Sequence, residues 1–425
     1  MRIVRNTHIG ARLRGPAGVV LAWAVTRAVL MLFVFRAVPF PGQFVLNDVH
    51  DVYQQWYPVL RSGSFPSEDV TWQYPPGAAA VLMAPVVLPF LSYVNAFFVL
   101  ALLTDAAVTV MLLVYGRGRA RPAAGAWVWV VGVTVAGPVV FARYDVMVTA
   151  VGMLALLELR RRPRVAGLLA GVGTMLKVWP LLVLTGTPRG RPTRRAWSWG
   201  VGTAAVVGVA FAVAMPGAFS FLTFQRDRGT EVESLGAMVF HVARHLGWHG
   251  QPAMHYGSVE FLGRHVHMVS WAALALSVLA LCWLVVWRLR ARTFSDATPY
   301  DAAFTALLVF TTTSRVISPQ YMVWLIGIGA VCRMMPGSVL RLPVRLTLVA
   351  TFFTTLEFPV FFSHVAASDK WGVLLLTIRN GLLVAASVIA CRRLWASTVH
   401  SPVLQPLQRR ARGAGETPPS LITTR

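Results

Sequence analysis

Apolar segments, each about as long as a bilayer is thick, alternate along this chain with short loops crowded with arginine. No other feature restricts the possible folds as strongly. Ala17–Val38, Tyr93–Tyr115, Ala123–Phe141, Ala196–Met215, Val266–Trp287 and Trp371–Cys391 come close to the roughly 20 residues that a spanning helix needs. Charged residues make up 13% of the 425 positions and hydrophobic residues 56%, whereas a soluble domain carries about 25% charged residues. The first segment is longer than a signal-peptide core and is followed by no small-residue cleavage site. It is therefore read as an uncleaved span.

A formal net charge of +23 would in a soluble chain suggest a nucleic-acid partner. Here the basic residues sit in tight groups between the apolar segments. They occur before Ala17, at Arg117–Arg121, Arg160–Arg164, Arg189–Arg195, Arg288–Arg292 and Arg333–Arg345, and again from Arg392 onward. Lysine and arginine in short loops mark the cytoplasmic side, so the charge describes topology and no nucleic-acid partner is expected.

Placing every group inside leaves a parity problem between Arg164 and Arg189. One crossing would strand a basic group outside, and two full crossings would need about 40 residues. A pair of half-helices turning near Lys177 and Pro180 satisfies both, a break tolerated where protein or a water-filled cavity surrounds it. Pro76–Ser92, with Pro85 and Pro89, poses the same problem. The expected fold is an all-α polytopic membrane protein with about ten full spans and two partial ones, twelve to fourteen if the partial elements are counted as spans. Residues 1–400 form one transmembrane domain, both termini are cytoplasmic, and 401–425 is a disordered tail.

This topology gathers carboxylates on the outer face. The loop Asn47–Gly77 alone holds Asp48, Asp51, Glu68 and Asp69 of the sixteen in the chain. Within it Val49, Val52, Tyr53, Trp56 and Leu60 recur at helical spacing, predicting a short helix in the interface plane with its aromatics at headgroup depth. Asp48 at its start reads either as an N-cap with Asp51 as a capping-box partner or as a general base. The three cysteines look like buried small residues. His241, His245 and His249 are spaced by four, but Gly247 interrupts them and no Glu or Cys completes a ligand set, so no metal is expected. Arg27, Asp105 and Arg379 lie inside spans and should face the bundle interior.

These residues in series resemble glycosyltransferase family 87. The outer-loop Asp before Tyr and Trp, a Gly–x–x–Pro bend at Gly63–Pro66 and YPPG at Tyr74–Gly77 open the match. ARYD at Ala142–Asp145, LKVWP at Leu176–Pro180, RGTEVES at Arg228–Ser234, SRVISPQYMVWL at Ser314–Leu325 and EFP at Glu357–Pro359 continue it. The resemblance implies a C-type helical bundle that moves mannose or a related hexose, with inversion, from a polyprenyl-phosphate sugar. The acceptor is an extracytoplasmic hydroxyl on a glycolipid, polysaccharide or protein, and no cofactor takes part. It also implies a catalytic Asp in the first outer loop: Asp48, which Val49 follows as in the family, with Asp51 as the alternative. Lys177, Arg315, Arg143 and Arg228, each inside a matching motif, are the expected donor-phosphate cations. Tyr74, Glu231, Gln320 and Glu357 are the expected sugar or acceptor contacts. A transporter or lipid-linked-sugar flippase is the rival class, since it too would explain broken helices, although no internal repeat is seen. A ligase acting on preassembled lipid-linked chains is a third.

Overall fold

A computed structural model of the chain describes residues 15–400; the N-terminal arginines up to Arg14 and the expected tail lie outside the described residues. In chain order the helices are α1 (Pro16–Val34), α2 (Gln54–Arg61), α3 (Ala78–Met83), α4 (Tyr93–Gly116), α5 (Ala124–Ala136), α6 (Asp145–Glu158) and α7 (Pro163–Leu176). Next come α8 (Arg191–Ala214), α9 (Ser220–Asp227), strand β1 (Thr230–Glu231), α10 (Met238–Arg244) and strands β2 (Gln251–His255) and β3 (Ser258–Leu262). The chain closes with α11 (Val266–Arg290), α12 (Thr298–Thr313), α13 (Tyr321–Met334), α14 (Arg341–Thr355), α15 (Phe362–Ala367) and α16 (Lys370–Thr398).

Five of these helices, α1, α4, α8, α11 and α16, are long and apolar enough to cross a membrane. The other described helices are shorter, so five full-length candidates stand beside an expectation of about ten full spans and two partial ones. At 1.5 Å per residue, helices the length of α6, α7 and α13 reach only about 21 Å, less than the roughly 30 Å of a hydrocarbon core. The shortfall lies at one end of the bundle. At the other end the basic groups meet: Arg119 contacts Met335 Sδ at 2.9 Å, Arg393 donates to Val339 O at 2.9 Å, Arg189 donates to the carbonyls of Arg288 and Leu289, and Arg160 pairs with Asp296 at 2.6 Å. α6, α7 and α13 each have one end within a few residues of these contacts, and their other ends lie at Asp145, Leu176 and Tyr321.

The break near Lys177 is one such stop. α7 ends at Leu176, Lys177 is extended (φ −161°, ψ 136°), and a 3₁₀ segment, Trp179–Leu184, carries the chain back. A 3₁₀ helix rises about 2.0 Å per residue. That steep return is how the chain goes from Lys177 to the Arg189 contacts in so few residues.

One expectation is corrected. The helix expected in the loop Asn47–Gly77 exists, as a π-helical turn Asp48–Tyr53 continued by α2, but Val49, Tyr53, Trp56 and Leu60 are buried in the main core. Tyr53 stacks on Trp56 and tilts against Phe97. Helical spacing defines the apolar face, and here protein rather than headgroups covers it. The segment after Pro216 adds a small sheet to this helical fold. β1, β3 and β2 form an antiparallel sheet in that order, with Thr230 opposite Phe261 and His255 opposite Ser258.

Arg27 and Asp105 do face inward, 2% and 0% exposed. Asp105 takes two hydrogen bonds from Arg27, at 2.9 and 3.0 Å, and one each from the indoles of Trp23 and Trp129. A buried ion pair is tolerated only when its remaining polar atoms are satisfied, and this network ties α1, α4 and α5 together.

Candidate active site

Where the short helices stop, they enclose a cavity of about 490 Å³. Its wall draws on the motifs of the sequence in turn: Asp48 from the π-helical turn, Tyr74 from the YPPG turn, Arg143 ahead of α6, Lys177 after α7, Arg228 and Glu231 around β1, and Arg315 and Gln320 between α12 and α13. Asp51 is exposed and does not line the cavity; Glu357 is fully buried behind it, held by Arg379. The cavity therefore separates Asp48 from Asp51, and Glu357 belongs to a buried ion pair.

Asp48 is the first residue of the π-helical turn, whose N-cap position falls on Asn47 and carries no side-chain capping bond. Its Oδ2 pairs with Arg143 Nη2 at 2.9 Å, and its side chain keeps 35% exposure toward the cavity. Although open on that side, the carboxyl is backed by protein, and this burial raises its pKa from the usual carboxylate range. Arg143 and Lys177 oppose the shift, and Asp51 and Asp145 add to it. A carboxylate made more basic but kept within reach of solute suits a group that accepts a proton. Arg143 also donates to the carbonyls of Val45 and Ala142, so backbone fixes the guanidinium that faces Asp48.

Sequence adjacency suggests that Arg143 pairs with Asp145. Instead Asp145 takes Lys177, with Nζ 2.7 Å from Oδ1, and the indole of Trp324 donates to the same oxygen at 2.7 Å. Around the ammonium stand the rings of Tyr74, Tyr144, Tyr321 and Trp324, with centroids 5.1–5.6 Å away. Aromatic faces stabilise a desolvated cation, and with Asp145 they oppose the burial that lowers the pKa of this lysine. The YPPG turn reaches this box because residue 77 is glycine. A Cβ there would lie 2.6 Å from the carbonyl oxygen of Met175 in the last turn of α7. Burial, then the charge of Asp48, pushes the Tyr74 phenol up to about 12 against the pull of Arg143, so it remains a hydroxyl donor on the wall.

The remaining cations are held by the segment after Pro216. Arg228 pairs with Glu260 of β3 at 3.1 Å and donates to Ser258 at 2.6 Å. Glu260 also accepts from Gly229 N at 2.9 Å. Arg315 bonds the carbonyl of Gln225 and, at 3.3 Å, Ser270. Glu231 works as a clamp: its carboxylate accepts from Ile317 N at 2.6 Å and Ser318 Oγ at 2.9 Å, while its own N–H donates to Arg315 O. RGTEVES and SRVISPQ, so far apart in sequence, are thereby one structural unit. Burial raises the Glu231 pKa, against Arg228, the two hydrogen bonds and Arg379. His241 is absorbed structurally, its ring nitrogens 2.8 Å from Ser368 Oγ and Val232 O.

Sequence reasoning did not single out Tyr144, Tyr321 and Trp324 of the box, nor Glu260. The first three lay inside matching motifs. Glu260 had a weaker signal, as an acidic residue in an alternating five-residue run.

The described residues form a helical membrane protein whose cavity is lined by four cations and bordered by one half-buried carboxylate, a combination that can hold an anion beside a proton acceptor. The model of glycosyltransferase family 87 matches residues 72–319, more than half of the chain, and the chain belongs to that family. Tyr74, Arg143, Lys177, Arg228, Glu231 and Arg315 lie within the matched residues; Asp48 and Asp51 precede them and Gln320 and Glu357 follow. No curated protein and no solved structure matches the chain.

Proposed function

We propose that this glycosyltransferase moves a hexose, mannose first among the choices, from a polyprenyl-phosphate sugar to an acceptor hydroxyl on the outer face of the cell membrane. The observation that carries this reading is the shared cavity wall of Asp48, Arg143, Lys177, Arg228 and Arg315. One side chain there can take a proton, and four can meet a phosphate.

In this reaction the acceptor O–H gives its proton to an Asp48 carboxylate oxygen as the acceptor oxygen attacks the anomeric carbon. The bond from that carbon to the phosphate oxygen breaks, and its electron pair leaves with the lipid phosphate, which gains a negative charge. Fixed cations aimed at that oxygen stabilise the transition state. Lys177 and Arg143 are held in advance by Asp145 and by backbone carbonyls, so little reorganisation is needed. Two exposed apolar side chains at the cavity edge, Val178 and Leu222, support a donor whose lipid lies toward the membrane. Inversion follows from a single displacement with one base.

The basic end is then cytoplasmic, and the cavity is extracytoplasmic. Glycolipid, wall polysaccharide and protein hydroxyls all fit the acceptor role. Purified protein in detergent, given a labelled polyprenyl-phosphate hexose and an alkyl glycoside, should release polyprenyl phosphate and a lengthened glycoside. Donor that stays intact in detergent but crosses a reconstituted bilayer would instead identify a flippase.

A further inference from the structure

The cavity wall includes an acid that the mechanism does not use. Glu233 follows β1 and is 4% exposed, yet it lines the cavity. Its Oε1 has no hydrogen-bond partner and lies 3.9 Å from Arg379 Nη2. Arg379 is already committed to Glu357, with Nε and Nη2 at 2.6 and 2.5 Å from Glu357 Oε1. Glu231 is satisfied by Ile317 N and Ser318 Oγ, and Arg228 is held by Glu260. Two carboxyls, Glu233 after β1 and Glu357 after α14, thus share one guanidinium from α16, and the third, Glu231, is met by other donors. A buried carboxylate without a partner is far costlier than its neutral acid, and of the three Glu233 is the one without a bond.

We propose that Glu233 is an acceptor-positioning residue, a neutral carboxylic acid in the cavity wall that exchanges hydrogen bonds with hydroxyls of a glycosyl acceptor. A carboxylic acid offers one donor and a carbonyl acceptor, which matches a sugar hydroxyl. The neighbouring Glu231 and Glu357 repel the donor phosphate from this place, while the four cations draw it elsewhere along the wall. In line with this, burial first, then the charges of Glu231 and Glu357, put the Glu233 carboxyl well above the usual range, against the pull of Arg379. The inference rests on the glycosyl-transfer reading for its ligand class, but not for the protonation of Glu233.

Infrared difference spectroscopy on the purified full chain tests both parts. Wild type minus Glu233→Gln at neutral pH should contain a carboxylic-acid carbonyl band, and octyl α-mannoside should shift it. In transfer assays Glu233→Ala should raise KM for octyl α-mannoside about tenfold, as for one lost hydrogen bond, with kcat little changed. Glu233→Gln, which keeps a donor and an acceptor, should restore KM. A carboxylate signal in place of the acid, a band indifferent to the glycoside, or an unchanged KM in Glu233→Ala overturns the proposal. If the wild type turns over no donor, the transferase reading fails, and the infrared experiment alone decides the role of Glu233. If Glu233→Ala does not fold, the glutamine variant and the band decide it.

Discussion

Arg143 reaches away from Asp145, two residues on, to hold Asp48 at 2.9 Å, and leaves Asp145 to Lys177 at 2.7 Å. This crossed pairing places two cations and one accessible carboxylate on a single wall. It also means that the group proposed to receive the leaving phosphate is the one that tunes the base.

Arg143→Met should therefore alter the pH dependence of transfer as well as its rate. The guanidinium favours the charged form of Asp48, so its removal raises a pKa already raised by burial. As a base, Asp48 must be ionised, and the acid limb of the pH–rate profile should move to higher pH. A variant whose rate falls equally at every pH would confine Arg143 to phosphate binding.

Lys177→Met should be unstable as well as inactive. It strands Asp145, 1% exposed, and breaking a buried pair from one side typically destabilises by about 3–5 kcal/mol. Adding Asp145→Asn, which can still accept from Trp324, should restore the melting temperature without restoring transfer. Recovery of both would make the lysine structural and move the phosphate elsewhere on the wall.

Glu231→Ala should loosen the join between β1 and residues 315–320 by about 1–3 kcal/mol for each donor left buried without an acceptor. Glu231→Gln, which keeps one acceptor oxygen, should be milder, as thermal unfolding can show. The sign of the pH effect is opposite to that of an ordinary salt bridge. Because the folded pKa of Glu231 is raised, its contribution to stability is fully present below the ordinary carboxylate pKa and declines as pH rises through the folded one. Glu231→Gln should lose that decline. An unchanged pH–stability curve would contradict the assignment.

Much of this architecture was legible in the sequence, for definite reasons. Arginine groups mark one end of the bundle because positive charge is sorted across a membrane. Lys177 beside Pro180 marks a break because a proline and a cation both interrupt an apolar helix. Helix lengths were less legible, since apolar runs such as Ala123–Phe141 fold as a 13-residue helix followed by a 3₁₀ turn. The sheet was missed because β1 has two residues. Its hairpin, however, carried a signal: Tyr256 and Gly257, with φ of +48° and +76°, form a two-residue turn between two five-residue runs. At the site, the motifs gave the residues and missed the partners. Nothing in the spacing of Arg143 and Asp145 indicates that each pairs with a residue far along the chain.

The central claim is that Asp48 is the base, and transfer rates of Asp48→Asn and Asp51→Asn test it most directly. Asparagine keeps the size of aspartate and can still accept from Arg143, but it cannot take up a proton. Loss of a general base typically lowers rate by about 10²–10⁴-fold. The account predicts that Asp48→Asn expresses and melts like the wild type with transfer reduced by that order, while Asp51→Asn, on the exposed side of the turn, stays active. An active Asp48→Asn beside a dead Asp51→Asn, or two active variants, would contradict it.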